Sequence, residues 1–172
     1  MTKALIIGIS GQDGTYLSEL LKDKGYEIFG TSRNVSSKNE TRINPDIKLF
    51  EWDLLEPEKI NEIIKLVSPD HVYNFAGYTT GSGMFDDTHN LARVNGLAPL
   101  YILEAIRDVN QEIKYFQASS SEIFGEPLSS PQSESTQCNP RSPYGAAKLF
   151  AQNMIGIYKK KYNMFACNGI LY

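Results

Sequence analysis

Tyr144 and Lys148 stand four residues apart, a spacing that puts both side chains on one face of a helix. A phenol with a pKa near 10 is a poor base at neutral pH unless a neighbouring cation favours its phenolate. Lys148 is such a cation. Upstream, Ser119, Ser120 and Ser121 follow an apolar run that ends at residue 118. A hydroxyl at a strand end can hydrogen-bond the oxygen of an alcohol as it becomes a carbonyl. Serine, tyrosine and lysine so arranged suit hydride transfer at an alcohol carbon. Glu122, two positions beyond Ser120, adds a different capability. Plain oxidation or reduction needs no carboxylate there, whereas losing water beside a carbonyl requires a base for the carbon-bound proton. The plainer readings are an exposed helical Tyr–Lys pair and a turn or helix-cap carboxylate.

Hydride transfer needs a carrier, and the N-terminus offers a place for one. The run Gly8-Ile9-Ser10-Gly11-Gln12-Asp13-Gly14 lies between an apolar stretch and a helical pattern. Glycines there allow a tight turn and let a pyrophosphate approach backbone N–H groups at a helix N-terminus. Gly8, Gly11, Gln12, Asp13 and Gly14 are therefore the candidate cradle for a dinucleotide, although the G-x-x-G-x-x-G spacing differs from the commoner G-x-G-x-x-G. An NAD site usually carries an acid about 20 residues further on. Here the stretch reads Thr31-Ser32-Arg33-Asn34, with an arginine and no acid. An acid repels a 2′-phosphate and a guanidinium grips it, so the expected cofactor is NADP, with Arg33 on its phosphate. A solvated surface arginine is the alternative. Asp53 and Leu54 follow the third strand pattern, where such folds hold the adenine; an ordinary turn accounts for them equally well.

These groups must be positioned by regular elements. Short apolar runs at 4–9, 27–31, 48–52, 71–75, 114–118 and 165–171 read as strands. Between them, helical patterns cover 13–24, 58–67, 90–110 and 144–162. Strands alternating with helices imply a parallel sheet, because parallel neighbours need crossover connections. The expected architecture is α/β, a doubly wound parallel sheet of six strands in the Rossmann manner, with its ligand beyond the carboxyl ends of the strands. The polar segment 126–142 reads as a long loop over that edge. Residues 1–172 form one domain on this reading. The chain stops directly after the sixth strand pattern, so a substrate domain is expected to be missing and the chain to be a fragment.

A net charge of -3 gives no reason to expect nucleic acid as a partner. No run approaches the roughly 20 apolar residues of a membrane helix, and no signal peptide is visible. Cys138 and Cys167 lack metal or redox spacing, so no metal is expected and a reducing cytoplasm is the default compartment.

Two further blocks are more specific than the glycine run: Phe116-Gln117-Ala118-Ser119-Ser120-Ser121-Glu122-Ile123-Phe124-Gly125 and Pro140-Arg141-Ser142-Pro143-Tyr144-Gly145-Ala146-Ala147-Lys148. With residues 8–14 they resemble the GDP-mannose 4,6-dehydratase family, and the similarity runs with few interruptions over residues 3–172. The resemblance implies a lyase that converts GDP-mannose, or a related GDP-hexose, to the 4-keto-6-deoxy sugar, using tightly bound NADP as an internal hydride carrier. It implies that Tyr144 takes the C4 hydroxyl proton, and that Glu122 takes the C5 proton and assists departure of the C6 hydroxyl. Ser120, where the family has threonine, would polarise the C4 oxygen. Lys148 would anchor the nicotinamide ribose and lower the pKa of Tyr144. Where the family has a segment like Ala-Ala-Gln-Ser-His-Val, this chain has Ala76-Gly77-Tyr78-Thr79-Thr80-Gly81; Ala76 and Thr79 are expected on the cofactor. Asn90 replaces a cofactor-contacting tyrosine. The expected partners are the nucleotide sugar and further copies of the chain in a homo-oligomer. A reductase or epimerase of the same superfamily and a non-catalytic NADP-binding fragment are the other readings.

Overall fold

Six parallel strands build one sheet: β1 (Lys3–Ile7), β2 (Glu27–Ser32), β3 (Lys48–Glu51), β4 (His71–Asn74), β5 (Lys114–Ser120) and β6 (Ala166–Leu171). Their order across the sheet is β3-β2-β1-β4-β5-β6. The computed structural model describes residues 1–35, 43–78 and 85–172. Helices α1 (Gln12–Asp23), α2 (Pro57–Val67), α4 (Ala98–Val109) and α5 (Pro143–Tyr162) connect the strands, with a short α3 (Thr88–Ala92) ahead of α4.

The period-two alternation of each strand feeds two apolar layers. Leu5, Ile7, Val72, Tyr115 and Ala166 meet Ile60 and Ile64 of α2, Ile102 and Ile106 of α4, and Ile155 of α5 in the larger layer. Ala4, Ile6 and Ile28 turn the other way and meet Leu21 of α1 in the smaller one. Helices therefore cover both faces, and the strand order reverses between β1 and β4, which opens a crevice at their carboxyl ends. The expected doubly wound six-stranded sheet is the observed one.

The boundaries differ in instructive places. β1 stops at Ile7 because Gly8 has φ 80°, a left-handed conformation that ends the extended run. The expected single helix over 90–110 is divided: α3 leads into a π-helical turn, Arg93–Leu97, before α4 resumes. Helical periodicity continues through that turn, so the hydrophobic pattern does not betray the extra residue. The 126–142 segment is a loop as expected, and its ends are tied: Glu126 N–H donates to the Asn139 carbonyl at 3.2 Å and Asn139 N–H to that of Ile123 at 3.1 Å. Among the described residues no helix is long and apolar enough to cross a membrane.

Ile102 is fully buried between α4 and the sheet, while Leu66 of α2 is 68% exposed. Ile102→Ala should lower the unfolding free energy by about 2–5 kcal/mol, and Leu66→Ala should change it by less than about 0.5 kcal/mol, as read from urea denaturation midpoints.

Candidate functional site

A cavity of about 630 Å³ opens at the crevice between β1 and β4. Its floor is the turn from β1 into α1. A Cβ at residue 8 would lie 2.7 Å from the Ala76 nitrogen, and one at residue 14 would lie 2.7 Å from the Ile9 Cα, so both approaches require the missing side chains. Gly11 caps α1 with no side-chain hydrogen bond. The N–H groups of the first helical turn have no partner within the helix by geometry alone, and they carry the positive end of its dipole. Of the residues expected on a dinucleotide, Gly8, Gly11, Gln12, Asp13, Gly14, Arg33, Asp53, Leu54 and Ala76 all line this one cavity. Arg33 is exposed at its rim, and among the described residues no carboxylate pairs with it. Asp53 also serves its own turn: Leu55 N–H donates to its Oδ1 at 3.0 Å. Thr79 lies outside the described residues.

Tyr144, Lys148, Ser120 and Glu122 sit together beside the cavity rather than in its wall. Alternation along β5 selects among the three serines. Ser119 faces α5 and its hydroxyl donates to Gln152 at 3.1 Å, while Ser120 faces the site and its Oγ accepts the Glu122 N–H at 3.2 Å. That bond starts a 3-10 turn, Ser121–Ile123, which carries Glu122. Ser142 caps α5 by accepting the Gly145 N–H at 3.0 Å, with Pro143 in the first turn. Gly145 then packs its bare Cα on the Glu122 carbonyl, where any Cβ would collide. This contact holds Tyr144 next to the turn bearing Ser120 and Glu122. One helical turn on, Lys148 Nζ donates to the Ala118 carbonyl at 3.0 Å and lies 5.6 Å from the centre of the Tyr144 ring.

Gly77 joins the two regions. It lines the cavity, and a Cβ on it would lie 3.5 Å from Lys148 Nζ and 2.7 Å from Asn95 Oδ1. Asn95, 1% exposed, clamps the wall from behind: it accepts the Tyr78 N–H at 3.0 Å and donates to the Tyr78 carbonyl at 3.2 Å. Sequence reasoning missed Asn95, Tyr78 and the cavity-lining Ser10, Ser32 and Trp52. A buried asparagine in a helical stretch was the one available signal. Asn90 is spoken for at the start of α3, since its Nδ2 donates to Asp87 at 2.9 Å and its backbone N–H donates to the same carboxylate at 3.2 Å.

The fold and this grouping define a Rossmann-type doubly wound α/β domain with a Ser–Tyr–Lys set beside its crevice. The structure of a UDP-glucose 4-epimerase from Brucella ovis in complex with NAD has the same fold, with a TM-score of 0.88 and 24% identity over 98% of this chain and 51% of that one. A Thermotoga maritima UDP-glucose 4-epimerase with UDP-glucose also superposes at 0.88, with 21% identity over 97% of this chain and 54% of that one. Sequence narrows the class. Residues 5–172 match the family described as GDP-mannose 4,6 dehydratase, and the chain belongs to that family. The human GDP-mannose 4,6 dehydratase is 41% identical over 98% of this chain and 49% of its own length. A Vibrio cholerae GDP-mannose 4,6-dehydratase is 40% identical over 99% of this chain and 49% of its own length. The chain spans about half the length of the curated relatives it matches.

Burial sets the charge state of the site. It raises the Tyr144 phenol above its ordinary value; the Ser120 hydroxyl beside it acts in the opposite sense, and the Glu122 carboxylate adds to the rise. The lowered tyrosine pKa that the resemblance implies is therefore not a property of the protein alone, because desolvation prevails over the Ser120 hydrogen bond. Burial also draws the Lys148 ammonium down from 10.5 to about 8. Between these values the unfolded chain keeps the Lys148 proton and the folded chain releases it, so stability rises with pH through that window. Below it both states are protonated and the burial penalty is complete. A tenfold difference in proton affinity between folded and unfolded chains corresponds to about 1.36 kcal/mol. Relative to Lys148→Met, the parent protein should therefore gain about 2 kcal/mol of unfolding free energy between about pH 8 and 10. The buried tyrosines titrate in both proteins and cancel. Urea denaturation at the two pH values measures the difference; parallel behaviour would mean that Lys148 is hydrated.

Proposed function

We propose that this chain carries the cofactor site and the catalytic groups of a GDP-mannose 4,6-dehydratase that uses NADP as its internal hydride carrier. The observation that carries the reading is a carboxylate beside the Tyr–Lys pair: the charge of Glu122 acts on the Tyr144 phenol, and Gly145 packs on the Glu122 backbone carbonyl. An oxidoreductase has no use for a carboxylate there; an elimination does.

The residues present fit a dinucleotide phosphate. The glycine turn leaves space where side chains would stand, the first turn of α1 offers N–H donors, and no acid ends β2 to repel a 2′-phosphate. A nicotinamide held in this cavity would supply the reversible hydride acceptor that moving a hydride from C4 to C6 of the sugar requires. Arg33, exposed at the cavity rim, would meet the 2′-phosphate. Lys148 holds the nicotinamide ribose through its ammonium group, which is already oriented by the Ala118 carbonyl. Ser120 hydrogen-bonds the C4 oxygen, and Tyr144 removes the C4 hydroxyl proton. Glu122 removes the C5 proton and delivers a proton to the departing C6 hydroxyl. GDP-mannose thus yields its 4-keto-6-deoxy derivative and one water, with no net oxidation.

Two measurements test this. The 172-residue chain should bind NADPH more tightly than NADH, and Arg33→Ala should weaken NADPH about 10- to 100-fold while sparing NADH, as expected for losing a charge-assisted hydrogen bond. Equal affinities of the parent for both would sink the NADP assignment. On the length of chain that turns over GDP-mannose, Glu122→Gln should lower formation of the 4-keto-6-deoxy sugar by about 10²- to 10⁴-fold. Reduced cofactor and a 4-keto hexose that keeps its C6 oxygen should then build up on the protein. Near-parental product formation by Glu122→Gln would make Glu122 a turn residue and end the dehydratase reading.

A further inference from the structure

A line of amides crosses the sheet beneath the site. Asn74, Gln117 and Asn168 occupy matched register positions on β4, β5 and β6. Asn74 and Gln117 are 0% and 1% exposed, in strands whose neighbours on the same face are apolar core. A buried primary amide is costly unless its donors and acceptors are met, and an aliphatic side chain would fill the same space without that demand. Asn74 and Gln117 are met in a particular sequence, whereas the buried Asn168 Oδ1 has no partner among the described residues. Asn74 Oδ1 accepts the Ala76 N–H at 3.1 Å, and Asn74 Nδ2 donates to Gln117 Oε1 at 2.9 Å. The Tyr115 hydroxyl donates to that same oxygen. Gln117 Nε2 then donates to the Ala118 carbonyl at 2.9 Å, and this carbonyl is the one that accepts Lys148 Nζ at 3.0 Å.

A carbonyl oxygen has two lone pairs, and both are taken here. The amide fills one, so the ammonium group can reach only the other. We propose that Gln117 is a positioning residue for Lys148: by occupying one lone pair of the Ala118 carbonyl, it fixes the direction from which Nζ is held against the cavity wall at Gly77. Asn74 extends the same tie to Ala76, so the cavity wall after β4 and Lys148 of α5 are braced through one chain of bonds. The inference rests on Lys148 belonging to the working site, but its test uses neither substrate nor turnover and can fail while the dehydratase reading stands.

Removing the amide has a definite electrostatic consequence. Its N–H dipole points its positive end at the oxygen that Lys148 uses. Without it the carbonyl becomes a better acceptor for the ammonium, and the Lys148 proton is held more tightly. Burial is the cause of the lowered Lys148 value, no neighbouring charge contributes to it, and the facing Tyr144 phenol is neutral in this range. A change in the Lys148 titration is therefore readable.

The experiment follows the Lys148 Cε resonance in the 172-residue chain labelled with ¹³C-lysine, as a function of pH, alongside NADPH affinity. In the parent the resonance should titrate at about 8. Gln117→Met keeps the volume and removes the amide; it should move the titration upward and weaken NADPH about tenfold, the loss expected for a misplaced charge-assisted bond. Tyr115→Phe removes a different donor to the same glutamine and leaves the Ala118 carbonyl alone. It should lower the denaturation midpoint without moving the titration or the affinity. If Gln117→Met does not fold, Gln117→Leu, which likewise lacks the amide, is read in the same way. A Lys148 titration that stays put or falls in the glutamine variant overturns the proposal. So does an equal change in both variants, which would make the effect one of general core loosening.

Discussion

The carbonyl of Glu122 occupies the place where a side chain at residue 145 would begin, and α5 can approach the turn after β5 this closely only because residue 145 is glycine. Much of the site depends on that approach. Tyr144 comes from α5, Ser120 and Glu122 from the end of β5 and the turn behind it, and a long polar loop separates the two. A loop of that length constrains its ends weakly, since closure entropy grows only slowly with length. The relative position of the groups is set instead by hard contact. The Ser142 cap starts the helix at a fixed residue, the Ser120–Glu122 hydrogen bond fixes the turn, and the glycine lets the two surfaces meet. Lys148 reaches the Ala118 carbonyl one turn later as a consequence of the same seating.

Close seating brings desolvation with it, and desolvation works against the two charged forms that base chemistry would use. Burial pushes the Tyr144 phenol up and the Lys148 ammonium down, so both groups lean toward neutrality in the protein alone. The nearby Glu122 carboxylate strengthens the first effect. A cation brought against Tyr144 would reverse the balance, because one positive charge in a poorly hydrated site outweighs the same charge in water. On the dehydratase reading the oxidised nicotinamide is that cation. Tyrosine would then become a competent base only in the company of its hydride acceptor, and the ordering of binding before chemistry would follow from burial.

The fold was legible in the sequence because its signals are local. Six apolar runs separated by helical patterns can make few sheets other than a parallel one, and the glycine turn marks where the ligand crevice begins. The candidate residues were legible for a similar reason. Tyr144 and Lys148 share a helix face by spacing alone, and strand alternation distinguishes Ser120 from Ser119 once β5 is placed. What stayed hidden depends on residues far apart in sequence or on competing patterns. Asn95 grips Tyr78 from a distant stretch of chain, and nothing in either segment announces the other. The π-helical turn that aims Asn95 keeps the apolar rhythm of an ordinary helix, so residues 90–110 read as one element. Gln117 was visible as a residue but sat inside an apolar run, where it looked like an interruption of the core.

The hidden polar residues have a common location, and the topology explains it. Strand order reverses between β1 and β4, so the helices following these strands leave in opposite directions and the crevice between them is lined by loops rather than by packed side chains. Gly8 and Ala76, one from each side, touch at its floor. Backbone at such a point cannot complete a ladder with a neighbouring strand, because the strands have already diverged. Its N–H and carbonyl groups must find partners elsewhere or remain unsatisfied at a buried position. Asn74 supplies one for Ala76, and Asn95 supplies two for Tyr78. The buried asparagines therefore sit beside the ligand crevice for the reason that the crevice exists: the divergence that opens room for a dinucleotide also strips the adjacent backbone of its strand partners, and side-chain amides take over that role.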